Sequence, residues 1–144
     1  MQYVCDAGGR RTWFRIETEA EAVAESEVMR HAVEKHFRRA RESAVAAYKP
    51  APSMSYIERD IGLGAHIQRS MPVFVTLREH DGTPLATAML APGGADDESF
   101  RSIVVGPANA DPFGPHAEAI TALGCHFGLT LTRERCYPYQ NYGI

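Results

Sequence analysis

The chain has 144 residues, 44% of them hydrophobic and 23% charged, with a formal charge of -3 and a pI near 6.1. These proportions belong to an ordinary folded domain and exclude a disordered, collagen-like or pure coiled-coil chain. The small negative charge leaves no overall cationic field to draw nucleic acid or an anionic membrane, and no apolar run approaches the roughly 18 to 20 residues of a bilayer span.

Near the N-terminus, Tyr3 to Cys5 and Thr12 to Glu17 read as two short strands joined through the Gly8-Gly9 turn, where a positive φ carries no steric cost. Thr12, Phe14 and Ile16 alternate with Trp13 and Arg15, so one face is buried and Trp13 needs cover from another element. The early charges Asp6, Arg10 and Arg11 do not suit a secretory leader.

Thr18 followed by Glu21 forms a capping box, and helical periodicity then runs to Lys49-Pro50, predicting one long helix over 19–48. Ala22, Met29, Val33, His36, Phe37, Ala40 and Ala44 fall on one apolar stripe; Glu27, His31, Glu34, Arg38 and Arg41 fall opposite, facing water. Acidic residues lead (Glu19, Glu21, Glu25, Glu27) and basic ones follow (Arg30, Lys35, Arg38, Arg39), which opposes the helix dipole without any ligand. His31, Glu34 and His36 resemble a zinc-protease helix only in composition, because a spacing of five puts the histidines about 140° apart around the axis. Glu27, His31 and Glu34 share a face, and that row reads as solvated charge.

Lys49 to Ser53 is a short stiff connector. Ser55 and Glu58 make a second capping box for a helix over 56–61, which Gly62 and Gly64 are expected to break. Pro72 to Leu90 alternates as a hairpin with a type I′ turn at Asp81-Gly82, and Phe100 to Val105 reads as a further strand. The glycine- and proline-rich loop 106–116 leads into a helix whose Ala117, Ile120, Leu123 and Phe127 share a face. Asp111 is its expected cap, Pro112 lies in its first turn and Gly128 closes it. Leu129 to Thr132 is read as a last strand. The order of elements implies a single α+β domain over 1–144, with a mainly antiparallel sheet, one long amphipathic helix and one or two shorter helices packed on one face.

Cys5, Cys125 and Cys136 are odd in number and irregular in spacing, which fits reduced thiols in a cytoplasm. The arginine and alanine bias fits a GC-rich bacterial genome. Zinc-type cysteine pairs and nucleotide-cradling glycine motifs are missing from the sequence, so no metal and no cofactor are expected. The loop 106–116 carries the candidate site: Asn109, Asp111 and His116 near a helix start, with Arg101 as counterion, would suit a small anionic ligand. The first reading is a cytoplasmic binding or regulatory module acting through a protein partner or small ligand. One alternative is a small hydrolase or transferase with His116 as acid or base. Another is nucleic-acid binding along the arginine-rich face of the helix 19–48. A homodimer through that helix or through the tyrosine-rich tail is also expected.

Overall fold

The computed structural model describes residues 1–139. Its sheet is a five-stranded antiparallel meander in the order β1-β2-β3-β4-β5: β1 Gln2–Gly8, β2 Arg11–Arg15, β3 Val73–Arg78, β4 Pro84–Leu90 and β5 Ile103–Val105. Between β2 and β3 lie three helices, α1 Glu19–Met29, α2 Val33–Ala47 and α3 Tyr56–Ser70; α4 Ala117–Phe127 and the single turn α5 Arg133–Cys136 follow β5. The α+β class and the antiparallel sheet are as expected from sequence.

Side chains alternate across the sheet, so its register sorts them into two faces. Trp13, Val75, Leu77, Ala86, Ala88 and Val104 share one face and pack with Ala119, Ile120 and Leu123 of α4. Trp13 is fully buried, and its indole Nε1–H donates to the Ala119 carbonyl at 2.7 Å, so α4 supplies the cover that residue required. Ile16 and Phe74 belong to the other face, where they pack with Ala22 of α1 and with Val33, Phe37 and Ala44 of α2. Helices therefore cover both faces, which corrects the expectation of one. Val73–Leu77 explains why: every residue of that stretch is buried, so both sides of the strand need a covering layer.

The long helix over 19–48 is two helices. Arg30 closes α1 in the left-handed region (φ 54°), and the amide N–H groups of Arg30 and His31 both donate to the Ser26 carbonyl. The Ser26 hydroxyl oxygen then accepts the Glu34 N–H at 3.0 Å, so a residue of α1 caps the start of α2 across the elbow. The break reverses two expectations: His31 turns inward and is half-buried, whereas His36 is exposed.

α3 runs unbroken through both glycines to Ser70. Gly62 lies under the Tyr48 hydroxyl, where a Cβ would collide, so close approach of α2's end selects glycine inside a helix. At the β3–β4 turn only Gly82 has a positive φ (91°); its N–H donates to the Glu79 carbonyl and Glu79 N–H to Thr83. A type I′ turn needs positive φ at both central residues, so this is the longer hairpin loop that ends on a left-handed glycine. Leu129 to Thr132 forms no strand. The tail residues 140–144 lie outside the described part.

Candidate functional site

α1 presents Glu25 to the sheet, where it is 1% exposed. Arg78, at the end of β3, donates from Nη2 to Glu25 Oε1 at 2.6 Å, from Nε to Thr76 Oγ1 at 3.1 Å and from Nη1 to the Gly82 carbonyl at 3.1 Å. Thr87 of β4 donates its hydroxyl to Glu25 Oε2 at 2.8 Å. His31, carried inward by the α1–α2 elbow, places Nε2 2.8 Å from Thr87 Oγ1. A buried charge is tolerated only when paired and hydrogen-bonded, and here both carboxylate oxygens are engaged.

Donor logic sets the tautomer of His31. The Thr87 proton is committed to Glu25, so its oxygen accepts and His31 Nε2 carries the hydrogen. Nδ1 is the acceptor and meets the Val33 N–H at 3.5 Å. Burial holds the His31 pKa below its ordinary value, against the opposing pull of Glu25 and Glu34. The imidazole is thus neutral at pH 7 and oriented at both nitrogens.

The His31–Thr87 bond forms part of the wall of a pocket of about 90 Å³ between the elbow, β4, β5 and the C-terminal segment. Phe74, Met89, Ile103 and Val105 supply its apolar surface, and His31, His36, Thr87, Asn109 and Tyr139 add polar groups. The volume suits a few waters or a small organic group.

Asn109 is held in place by unusual backbone. Ala108 (φ 54°) and Asn109 (φ 62°) both occupy the left-handed region, which costs a non-glycine residue roughly 1–2 kcal/mol. Gly106 N–H to the Ala110 carbonyl at 2.8 Å and the Tyr137 hydroxyl to the Asn109 carbonyl at 2.7 Å close the loop around that geometry.

Of the residues expected from sequence, Asn109 alone lines this pocket. Asp111 sits two residues on; its Oδ1 accepts the Phe113 N–H and its Oδ2 pairs with Arg133 at 2.6 Å, so it shapes the loop. It does not cap α4, whose N-cap is His116. His116 lies on the α4 side of the sheet, where Nδ1 accepts from Arg11 at 3.1 Å; burial and then the Arg11 charge lower its pKa. Arg101 is exposed and lines a separate groove with Asp96, Asp97 and Arg135. Glu25, Thr87 and the inward turn of His31 are not evident from the sequence; the one available signal is a glutamate whose position on α1 faces Ala22 and Met29.

Cys136 is buried and Cys5 half-buried, and desolvation raises both thiol pKa values; Cys125 is exposed. On α2, Arg38 pairs with Glu19 at 2.6 Å, so the arginine-rich face is interleaved with acid. No three histidine, cysteine, aspartate or glutamate side chains converge as a metal site among the described residues, and no helix there is long and apolar enough to cross a membrane. Comparison of the chain with protein families, curated proteins and solved structures returns no match in any of the three.

Proposed function

We propose that the protein is a small-ligand-binding domain, with its ligand seated in the pocket formed by the α1–α2 elbow, β4, β5 and the loop around Asn109. The observation that carries this reading is the Arg78–Glu25–Thr87–His31 chain, a costly set of buried polar groups that ends at the pocket wall. Both nitrogens of His31 are occupied within the protein, which favours a rigid recognition wall over proton transfer to a substrate. The strained Ala108-Asn109 pair supports the same site, because such backbone geometry concentrates at ligand clamps. The expected ligand has a compact apolar body against Phe74 and Val105 and one polar or anionic group toward Asn109.

The test is a methyl NMR titration of Ile103 and Val105 with phenol, isobutyrate and benzoate as probes. Saturable shifts at both residues are expected for at least one probe, with Asn109→Ala weakening binding about 5- to 20-fold, the loss of one hydrogen bond. Val105→Phe should fill the space and abolish the shifts at Ile103. Flat titrations for all three probes, or Ile103 shifts that persist in Val105→Phe, would overturn the assignment.

A further inference from the structure

We propose that α3 is the contact surface for a second copy of this chain, docked antiparallel across a twofold axis. None of α3's residues is buried, and its outer side exposes Tyr56 at 85%, Ile57 at 73% and Ile61 at 69%. Ile57, Ile61, Gly64 and Gln68 recur at alternating spacings of four and three, which is the seam of a packed helix pair.

Gly64 is the discriminating residue. A glycine inside a helix is unfavourable relative to alanine, and it usually has a packing reason. Gly62 has one within the chain, the Tyr48 hydroxyl; a Cβ at Gly64 would meet nothing within 4 Å. The space left by its missing side chain is open toward solvent, beside Ile61, where a second helix can approach closely.

A twofold axis between positions 62 and 63 makes this face self-complementary. It sets Ile61 over Gly64 of the second copy and Ile57 over the stem of Gln68. The same axis brings Glu58 beside Arg69 of the second copy, twice over by symmetry, and neither residue forms an ion pair among the described residues. Like ends never meet in this arrangement: the acidic start of α3 faces its basic end.

A groove of about 270 Å³ flanks the seam, where Ile16, Phe37, Ile67 and Met71 are joined by Arg15 and Glu17. Tyr56 and Ile67 lie about 20° apart around the helix axis, so the twofold carries Tyr56 of the second copy to this groove, within about 3 Å along the helix. An exposed tyrosine, with an apolar ring and a polar hydroxyl, and an adjacent cleft of mixed apolar and polar lining thus become anchor and socket. One helix face is small beside the roughly 800 Å² per partner of a standard interface, so the dimer is weak and reversible, in the micromolar range.

Sedimentation of the whole chain from about 1 to 500 µM tests this. The mass is expected to rise from 15.9 kDa toward twice that value. Ile61→Arg changes a residue that is exposed in the single chain, so circular dichroism and melting of the dilute protein stay as before, while the dissociation constant rises at least about 30-fold. Arg69→Glu weakens association, and Glu58→Arg added to it restores the dissociation constant to within about threefold. In a Cys125→Ser background, Gly64→Cys forms a disulfide-linked dimer and Ile57→Cys does not. A constant single-chain mass, a dimer indifferent to Ile61→Arg, or the opposite crosslinking pattern overturns the proposal.

Discussion

Replacing Thr87 with valine exchanges one hydroxyl for a methyl of nearly the same shape. Thr87 is 3% exposed, so the change leaves no cavity, yet it removes the donor to Glu25 Oε2 and the acceptor of His31 Nε2–H together. A hydrogen bond to a charged group contributes about 1.5–3 kcal/mol, and the unpaired, half-buried imidazole N–H adds about 1. The new methyl returns about 0.8 kcal/mol by burial. The net loss is therefore about 2–3 kcal/mol. For 144 residues the unfolding entropy at the midpoint is about 0.3 kcal/mol/K, so Tm falls by about 7–10 °C. Urea unfolding followed by circular dichroism measures the same quantity, with an unchanged slope showing that compactness is kept. Combining Thr87→Val with Glu25→Gln should show coupling of at least about 1 kcal/mol, because the two residues share one hydrogen bond. A loss below about 0.5 kcal/mol, or strict additivity in that cycle, would refute the claim that the buried chain is energetically connected.

Other consequences can be checked directly. His31 and His116 both have folded-state pKa values below the ordinary 6.5, so the unfolded chain binds more protons just under that pH and stability is lost as pH falls through it; the urea midpoint should decline from pH 7.5 to about 5, less steeply in His31→Gln. Gly94→Ala combines a positive φ with a collision against Phe127 and should cost about 2–4 kcal/mol, whereas Gly128→Ala, which has positive φ and open space, should cost about 1. Trp13 is the single tryptophan and is fully buried, so its fluorescence should be blue-shifted and resistant to iodide quenching until the protein unfolds; a red, quenchable native spectrum would contradict the α4 packing.

The parts legible in the sequence are those governed by local rules. Thr18 with Glu21 forms the capping box it announces, with Thr18 Oγ1 accepting the Glu21 N–H at 3.2 Å and Glu21 Oε1 accepting the Thr18 N–H at 3.1 Å. Ala22, Met29, Val33, Phe37 and Ala44 are all buried, as their stripe predicts. What escaped depends on contacts distant in sequence. Nothing in Met29-Arg30-His31-Ala32 reads as a helix stop; the break is sustained by Ser26 reaching Glu34 and by Thr87 drawing His31 inward. In sequence Glu25 is one more acid balancing the dipole, because only Arg78, far along the chain, gives it a reason to be buried. Gly62 reads as a breaker for the same reason: the residue it makes room for, Tyr48, belongs to the preceding segment. Asn109 was legible because loop composition and a helix start are local signals, although its pocket is not.

The meander pairs each strand with its neighbour in sequence, but β2 and β3 are separated by the whole excursion 16–72, whose ends meet where Ile16 N–H donates to the Phe74 carbonyl at 2.8 Å. Closing that excursion carries most of the loop entropy of the fold, while β3–β4 and β1–β2 close over short turns. The expected order of assembly follows: the two hairpins pair before β2 joins β3. Substitutions in the β3–β4 hairpin should then slow folding, and those in α1–α3 should chiefly hasten unfolding. The same geometry makes the helical layer a cassette, in which length can change without altering the register of the sheet beneath it.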